Sequence, residues 1–423
     1  MAEVVSSGHI PRRADEIVRE SLSAFRVVVV HGARQVGKTT VARALAPQLG
    51  ATYLTLDDAD VLSVAQADPP TFISASGAPL VIDEVQRVGQ LLVLAIKSAV
   101  DRNDRPGQFL LTGSTNFLTV PSIAETLAGR ADIVTLWPLS QGELRAGRDD
   151  FVDRALDGAA ALLDHTGETP ERSAYFEALS IGGYPAAQRL TARTRRRWFT
   201  RYVETVLARE IEMAADIRRA DALTSMIRYL AATTAQELVV STVGQRVGID
   251  RGTAQHYASW LETVFLVHRV PAWSRNLTAK VVRRPKLYLT DTGVAGALLG
   301  KDAAAIQRPT DPAAGSLFET FVANEIAKQL TWCGTPARLF HFRDSDGAEV
   351  DLVVEADDGR VVAIEVKATS TPRPEDFRWL VYLRDRLDSA RGEFAAGVVL
   401  HTGQRRLPFG DRLVALPASD LWN

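Results

Sequence analysis

A glycine-rich run near the N-terminus ends in a lysine followed by two threonines. Residues 32–39 read Gly-Ala-Arg-Gln-Val-Gly-Lys-Thr, which fits the spacing G-x-x-x-x-G-K-[ST]. Glycines let the backbone turn closely around an anion, and the N–H groups at the start of the next helix then face that anion. We expect Lys38 to reach the β- and γ-phosphates of ATP and the Thr39 hydroxyl to bind Mg²⁺. The predicted nucleotide loop consists of Gly32, Ala33, Arg34, Gln35, Val36, Gly37, Lys38, Thr39 and Thr40.

Two carboxylates follow a short apolar stretch. Residues 79–84 read Pro-Leu-Val-Ile-Asp-Glu, so that Asp83 and Glu84 come at the end of a predicted strand. In parallel sheets, ligands bind at the carboxyl ends of the strands, and both side chains should therefore lie beside the loop. There Asp83 can hold Mg²⁺ directly or through water, and Glu84 can polarise the attacking water molecule. Together with Lys38, these residues predict hydrolysis of ATP.

Other polar residues are candidates for contact with the γ-phosphate. Ser114 and Asn116 follow another predicted strand, and either one can sense the phosphate or orient the water. Arg130 is the first candidate for offsetting the charge that develops on the transferred phosphoryl group, in its own chain or in a neighbouring copy. The alternative is an ordinary surface arginine. Arg34 and Arg87 are weaker candidates for the same role.

Alternating strand and helix patterns position these residues. Arg26–Val30 is too short and too β-branched for a helix, and it reads as a strand buried on both faces. A helical pattern follows it, and further strand candidates come at Ala51–Leu56, Pro79–Ile82, Phe109–Thr112 and Ile133–Leu136. This alternation predicts an α/β fold with a doubly wound parallel sheet. The stretch 140–235 is predicted to be mostly helical, and strand patterns return after 280.

These runs, and several later ones, resemble a known family. Besides the loop, the matching runs are Val81–Gln86, Leu127–Arg130, Trp137–Leu139 with Ser140 and Glu143, Gly182–Pro185, Lys286–Gly293 and Gly315–Glu319. In this order they are similar to AAA-family ATPases of bacteria and archaea that carry a C-terminal domain of unknown function. The resemblance implies a P-loop ATPase core, a winged-helix-like middle segment and a nuclease-like C-terminal fold. We expect the core at 1–140, a helical lid at 141–235, the winged helix at 236–279 and the nuclease-like domain at 280–423.

The middle segment has the order helix, turn, helix and strand. Ser241–Val247 reads as a short helix, Asp250 can cap the helix Arg251–Val264, and Phe265–Val270 is the candidate wing strand. Residue types that contact phosphates or base edges occur on the second helix, at Arg251, Gln255 and His256. The pattern leaves open whether this segment binds DNA or serves as a packing or partner module.

A denser basic cluster precedes this segment. Within the predicted helix Arg193–Ile217 it comprises Arg193, Arg195, Arg196, Arg197 and Arg201. Such a cluster can follow a nucleic-acid backbone through phosphate contacts. The alternative is a solvated helix face that pairs with Glu204 and Glu210.

The C-terminal part contains a second group of acidic residues. Asp351 lies on a predicted strand, a turn at Asp357–Gly359 follows, and Glu365 and Lys367 share one face of the next strand. This arrangement resembles the PD-(D/E)xK nuclease core, in which carboxylates hold a divalent metal and the lysine positions water. Glu319 resembles the additional acidic ligand of that core, and an oxygen-only set suits Mg²⁺ or Mn²⁺. The alternative is an inactive nuclease fold kept as an interaction module.

Bulk properties limit the remaining classes. A length of 423 residues predicts two or three domains, and a net charge of −2 means that nucleic acid would have to bind local basic patches. No apolar run reaches the roughly 18 residues of a membrane span, and the first residues lack the apolar core of a secretory signal, so the expected location is the cytoplasm. The lone Cys333 excludes an intramolecular disulfide.

Two functions remain as hypotheses. The first is an ATPase that binds or processes nucleic acid, with DNA favoured and with nuclease activity as an open question. The second is a regulatory ATPase switch that does not cleave nucleic acid and binds a protein partner. A helicase-like motor is a weaker third interpretation, and a homo-oligomer is possible in each case.

Overall fold

The computed structural model describes residues 10–113, 126–164, 167–213, 220–274, 284–308, 310–344, 346–390 and 392–423. Ser114 and Asn116 lie outside these residues. The chain divides into two compact units, one of Met1–Leu139 with Thr263–Phe265 and one of Ser140–Glu262 with Leu266–Asn423. The division into four segments stays a prediction. Among the described residues, no helix is long and apolar enough to cross a membrane.

The first unit is built on a five-stranded parallel sheet. Its strands are β1 (Val27–His31), β2 (Thr52–Thr55), β3 (Leu80–Asp83), β4 (Phe109–Gly113) and β5 (Ala131–Thr135), in the spatial order β2-β3-β4-β1-β5. Its helices are α1 (Ala14–Ala24), α2 (Lys38–Gln48), α3 (Ala59–Ala67), α4 (Pro69–Ser76) and α5 (Gln90–Arg102). The parallel α/β sheet predicted from the sequence is thereby confirmed.

Burial explains why β1 forms, and the parallel direction of the strands explains which edge of the sheet its end reaches. All four valines at 27–30 are fully buried, as β-branched residues are in a strand covered on both faces. Val27 and Val29 share one core with Leu80 and Ile82 of β3 and Leu111 of β4. Because the strands are parallel, the carboxyl ends of β1, β3 and β4 meet at one edge of the sheet.

The second unit combines helices with two sheets. Its helices are α6 (Gln141–Arg145), α7 (Phe151–Leu156), α8 (Ala159–Leu163), α9 (Arg172–Ile181), α10 (Ala192–Met213), α11 (Ala220–Ala232), α12 (Val240–Val247), α13 (Arg251–Thr263), α14 (Thr292–Leu298), α15 (Ala303–Ile306), α16 (Ala314–Gln329) and α17 (Arg378–Ser389). An antiparallel sheet has the order β6-β8-β7, with β6 (Gln236–Glu237), β7 (Val267–Val270) and β8 (Lys286–Leu289). A mixed sheet has the order β13-β14-β12-β11-β10-β9, with β9 (Ala337–Arg343), β10 (Glu349–Ala356), β11 (Arg360–Lys367), β12 (Glu393–His401), β13 (Leu407–Pro408) and β14 (Leu413–Pro417).

The predicted helix, turn, helix and strand are present in the middle segment. The side chain of Asp250 accepts a hydrogen bond from the N–H group of Thr253 at 3.0 Å and so caps α13. Ala254, Tyr257 and Leu261 are buried along one face of this helix. The following strand, β7, pairs with β8.

Two turns of the second unit meet at one buried carboxylate, that of Asp291. Asp291 caps α14 by accepting from the N–H group of Val294 at 3.1 Å, and it also accepts from the N–H group of Gly183 at 2.6 Å. Gly182 has a φ of +69°, and a Cβ atom there would lie 2.3 Å from Oδ1 of Asp291. Burial raises the pKa of Asp291, so these backbone donors are needed to hold its charge. The contact of Gly182 and Gly183 with Asp291 thus gives the runs 182–185 and 286–293 a role in packing.

Gly182→Ala is therefore expected to destabilise the second unit more than a glycine substitution without a clash. Gly300 is the matched control, because its φ of +66° is nearly the same and nothing lies within 4 Å of its Cβ position. Left-handed strain alone should cost Gly300→Ala about 1 kcal/mol, whereas Gly182→Ala should cost about 3 kcal/mol or more because it also disturbs Asp291. Urea unfolding followed by tryptophan fluorescence measures this difference, and equal losses in the two variants would contradict the role given to Asp291.

Candidate functional site

The loop after β1 has the geometry that the sequence predicts for an anion site. It leaves β1 at His31, and helix α2 begins at Lys38. Gly32 has a φ of +153°, and a Cβ atom at this position would lie 2.2 Å from the carbonyl oxygen of Leu136. No side chain fits there, because the backbone of the segment after β5 occupies the space. The first glycine of the motif is therefore required by this close approach.

Lys38 is buried within the loop. Its side chain is 5% exposed, and Nζ donates to the carbonyl oxygens of Gly32 at 3.0 Å and Ala33 at 2.8 Å. Burial lowers the pKa of Lys38 to about 8; nearby Glu84 and Asp83 act in the opposite direction, and Arg34 lowers it further. The ammonium group has lost its water, so a phosphate placed in the loop would stabilise its charged form.

Asp83 is the centre of a hydroxyl cluster at the end of β3. Its carboxylate is 1% exposed and accepts from Thr39 Oγ1 at 3.0 and 3.1 Å and from Tyr53 at 3.1 Å. Thr55 donates at 3.3 Å, and Thr112 also donates. These donors come from α2, β2 and β4, so three elements orient one carboxylate. Thr39 and Asp83 together present the oxygen ligands that Mg²⁺ prefers.

Glu84 is held by its backbone as well as by its side chain. Its φ is +61°, a left-handed conformation that is uncommon outside glycine and occurs often at functional sites. Its N–H group donates to Thr112 Oγ1 at 3.2 Å, and the side chain of Gln86 donates to its carboxylate. Thr112 therefore contacts both acidic residues and fixes Asp83 and Glu84 relative to each other.

Four residues of this site were not found by sequence reasoning: Arg12, Tyr53, Thr55 and Thr112. Arg12 is 8% exposed, and its guanidinium donates to the carbonyl oxygens of Val36 at 2.8 Å and Trp137 at 2.7 Å. It thereby braces the loop against the segment after β5. The sequence offers no signal for Arg12, because its partners are 24 and 125 residues away. Thr55 and Thr112 could have been suspected as polar residues at or next to the ends of strands β2 and β4, whereas Tyr53 lies within β2.

The structure places Arg130 away from the loop. Arg130 precedes β5, and its carbonyl oxygen accepts from the N–H group of Val27 at the start of β1, so it lies at the amino edge of the sheet. Its guanidinium pairs with Asp101 at 2.5 Å. Lys38, Asp83 and Glu84 lie at the opposite edge, and a contact of Arg130 with phosphate would require a second copy of the chain.

The two weaker arginine candidates also have defined positions. Arg87 pairs with Asp57 in the first unit. Arg34 lies within the loop, close enough for its charge to lower the pKa of Lys38. Of the arginines considered, Arg34 is therefore the one that the structure brings to the predicted nucleotide loop.

The C-terminal carboxylates come together around a lysine. Nζ of Lys286 lies 3.0 Å from Glu319, 3.2 Å from Glu349 and 3.4 Å from Asp351. Glu365 instead pairs with Lys367 at 2.7 Å. Among the described residues there is no group of three or more His, Cys, Asp or Glu side chains placed to hold a metal ion. The carboxylates predicted to bind Mg²⁺ or Mn²⁺, those of Glu319, Asp351 and Glu365, therefore form ion pairs with lysines.

The charges of this cluster affect one another. Burial and nearby Asp351 raise the pKa of Glu319 and of Glu365, whereas the lysine paired with each, Lys286 or Lys367, acts in the opposite direction and favours the ionised form. Burial alone would lower the pKa of Lys286, but Glu319, Asp351 and Glu349 raise it above its ordinary value. The three carboxylates therefore favour the charged form of Lys286.

Comparisons with known families match three parts of the chain. Residues 24–145 match the AAA domain family, and residues 172–305 and 314–421 match two domains of unknown function, DUF8612 and DUF4143. The chain is 28% identical over 418 residues to the uncharacterized protein Rv2008c of Mycobacterium tuberculosis and to the uncharacterized protein Mb2031c of Mycobacterium bovis. The alignment covers 97% of this chain and 84% of each relative.

Among solved structures, the chain is similar to the Walker-type ATPase PabY2304 of Pyrococcus abyssi, with 13% identity and a TM-score of 0.42 over 69% of this chain and 96% of that chain. It is also similar to AMPPCP-bound DnaA from Aquifex aeolicus, with 15% identity and a TM-score of 0.29 over 59% of this chain and 86% of that chain. The match to the AAA domain family at 24–145 includes the loop of Lys38 and the acidic strand end of Asp83 and Glu84.

Arg12→Gln is expected to loosen the loop without unfolding the first unit. Two hydrogen bonds from a charged donor to buried carbonyl groups are worth about 3 kcal/mol together, so the amides of residues 33–37 should exchange hydrogen at least roughly tenfold faster. Hydrogen–deuterium exchange with mass spectrometry measures this. Arg19→Gln is the control, because Arg19 bonds only an exposed side chain, that of Gln48. Unchanged exchange in Arg12→Gln would contradict the bracing role.

Proposed function

We propose that this protein binds ATP together with Mg²⁺ and hydrolyses it at the edge of the parallel sheet. The observation that carries the proposal is the contact between the Thr39 hydroxyl and the buried Asp83 carboxylate, at 3.0 Å, beside a loop that holds Lys38. Mg²⁺ bound by Thr39 and Asp83 would neutralise charge on the β- and γ-phosphates. The AAA family match at 24–145 supports the same assignment.

Lys38 supplies the positive charge for the phosphates. In the structure its ammonium group donates to two loop carbonyls and its pKa is lowered to about 8. The negative charge of the phosphates would raise this pKa again, so ATP binding keeps Lys38 protonated. Binding is accordingly strongest below pH 8 and weakens as the pH rises above that value, where the free protein has lost the Lys38 proton.

Glu84 is the proposed general base. Its carboxylate would accept a proton from a water molecule as the water oxygen bonds to the γ-phosphorus, while the bond from that phosphorus to the bridging oxygen breaks and ADP leaves. The left-handed backbone of Glu84 and the hydrogen bond from its N–H group to Thr112 hold this carboxylate at the strand end. Asp83, which four hydroxyl groups already contact, is better suited to orient the metal.

Substitutions at the site separate binding from hydrolysis. Lys38→Ala should abolish ATP binding, whereas Glu84→Gln should retain binding and slow phosphate release by roughly 100-fold or more, because only the proton acceptor is lost. Glu20→Gln, an exposed position on α1, is the control and should behave as the parent. Fluorescent-nucleotide binding and phosphate release are the measurements. If Glu84→Gln hydrolysed ATP at the parent rate, Glu84 would not be the general base.

We further propose that the protein binds nucleic acid, with DNA favoured, through α10. Arg193, Arg196, Arg197 and Arg201 are exposed on this helix. The opposite face is buried, where Phe199 and Tyr202 pack against Tyr184 at ring distances of 6.0 and 4.9 Å. Three of the arginines recur every four residues, so their guanidinium groups form a row along one side of the helix.

The fifth arginine of the cluster has a structural role. Arg195 donates to the carbonyl oxygens of Ala187 at 3.1 Å and Leu190 at 2.7 Å, and it thereby holds the turn before α10. The alternative predicted from the sequence was that acidic neighbours neutralise the cluster. Among the described side chains, however, no ion pair joins Glu204 to these arginines, and the side chain of Glu210 is not described. The row is thus available for phosphate groups.

The middle segment is proposed as a second contact in the form of a winged helix. Helix α13 exposes Arg251, Gln255 and His256, while its opposite face is buried. Residues of these types contact phosphates and base edges. The competing function, a regulatory switch that grips a protein partner, would use the same exposed faces for a different ligand.

The test of this surface is a variant that carries Gln in place of Arg193, Arg196, Arg197 and Arg201. It should bind DNA more weakly, and its binding should depend less on salt. The slope of log K against log salt concentration should fall by roughly one unit for each lost phosphate contact. The matched control replaces the exposed Arg102, Arg105, Arg148 and Arg338 by Gln, which changes the net charge equally. Fluorescence anisotropy with duplex and single-stranded DNA at several salt concentrations measures both. Equal losses in the two sets would indicate an effect of bulk charge, and no DNA binding by the parent would favour the regulatory switch.

A further inference from the structure

The acidic cluster of the second unit has a cation at its centre that belongs to the chain itself. We call Lys286, Glu319, Glu349 and Asp351 the lysine-filled cluster. The ammonium nitrogen of Lys286 lies 3.0 to 3.4 Å from an oxygen of each carboxylate. We infer that Lys286 takes the place that the nuclease-like pattern assigns to a divalent metal, and that the C-terminal unit neither binds Mg²⁺ or Mn²⁺ at this cluster nor cleaves nucleic acid there.

The backbone of Lys286 is fixed on both sides. It begins β8, the central strand of the antiparallel sheet, and pairs with Glu237 of β6 and Val270 of β7. Its side chain is only 3% exposed. The central strand fixes the position of the Lys286 backbone, and burial and the three ion pairs hold its ammonium group within the cluster.

Each carboxylate has a further partner, which contacts the second oxygen in Asp351 and Glu349 and the same oxygen, Oε1, in Glu319. Glu319 also accepts from the hydroxyl group of Tyr288 at 2.8 Å, and Asp351 accepts from the N–H group of Val366 at 2.9 Å. Glu349 lies 3.6 Å from the guanidinium of Arg343. Glu319 and Asp351, which are largely buried, are therefore each held by two hydrogen-bond donors, as buried carboxylates require, and the more exposed Glu349 pairs with Lys286 and Arg343.

The size and the charge of the ammonium group both exclude a metal. Mg²⁺ needs carboxylate oxygens at about 2.0–2.1 Å in octahedral geometry, whereas these oxygens surround a nitrogen at contact distance. A divalent ion beside Lys286 would experience direct charge repulsion. Moving Lys286 aside would leave a buried ammonium group without partners, which is strongly unfavourable.

The remaining predicted ligand, Glu365, is neutralised in the same way. The β10–β11 pairing of Leu352 with Ile364 places Asp351 and Glu365 at the same end of the hairpin. Glu365 pairs with Lys367 at 2.7 Å, and Lys367 lies 4.0 Å from Asp376. The PD-(D/E)xK-like residues are thus arranged as a network of internal ion pairs, and this network is independent of the ATPase site.

The test measures Mn²⁺ binding by electron paramagnetic resonance in the full chain, without nucleotide and in an Asp83→Asn background that removes the carboxylate of the P-loop site. With Lys286 present, we expect no Mn²⁺ bound at the C-terminal cluster and no cleavage of plasmid or branched DNA with Mn²⁺. Lys286→Met removes the ammonium group that all three carboxylates contact, and it should gain bound Mn²⁺ at the cluster, which the background protein lacks. Adding Glu319→Gln should abolish the gained site.

Lys301→Met is the matched control, because Lys301 pairs with a single carboxylate, that of Asp311 at 2.5 Å, and its loss should create no metal site. The inference would be overturned if the background protein bound Mn²⁺ or cleaved DNA and lost this activity with Glu319→Gln. This comparison does not depend on whether Lys286→Met folds. A folded Lys286→Met protein that gains no Mn²⁺ would overturn it as well. Neither result depends on whether the P-loop site hydrolyses ATP.

Discussion

The first unit depends on one constraint, which is that a carboxylate buried at the edge of a parallel sheet must be fully hydrogen-bonded. Asp83 satisfies this constraint with hydroxyl groups from the loop helix and from the two neighbouring strands. The same contacts set the distance between the sheet edge and Thr39. A single buried charge thereby links the strand order, the position of α2 and the place where a metal with phosphates can be held.

The second unit uses buried charges differently. Asp291 is bonded to backbone N–H groups of two separate turns, and Lys286 forms ion pairs with three carboxylates from α16 and β10. In both cases the buried charges are held by groups of the chain itself. Residues that resemble ligands in the sequence can therefore serve as internal ion pairs.

The contrast between the two acidic sites explains their proposed roles. Hydroxyl groups surround Asp83 and leave its charge uncompensated, and the nearby ammonium group of Lys38 is held by neutral carbonyls and has a lowered pKa. Such a site gains stability when a metal and a polyphosphate arrive. The lysine-filled cluster already contains its cation, so it gains nothing from a metal. We accordingly place the chemistry in the first unit and regard the exposed arginine row of α10 as a binding surface.

The sequence by itself determined the parallel sheet, the phosphate loop, the acidic strand end and the helices around Asp250, because local periodicity and residue type decide these features. Only the tertiary structure decided which distant groups meet. Arg12 reaches the loop from 24 residues away, and Arg130 lies at the amino edge of the sheet although its motif follows the loop in the expected order. Lys286 lies among carboxylates that are 33 to 65 residues distant. Strand order and side-chain direction set these contacts, and neither is encoded in the spacing of a motif.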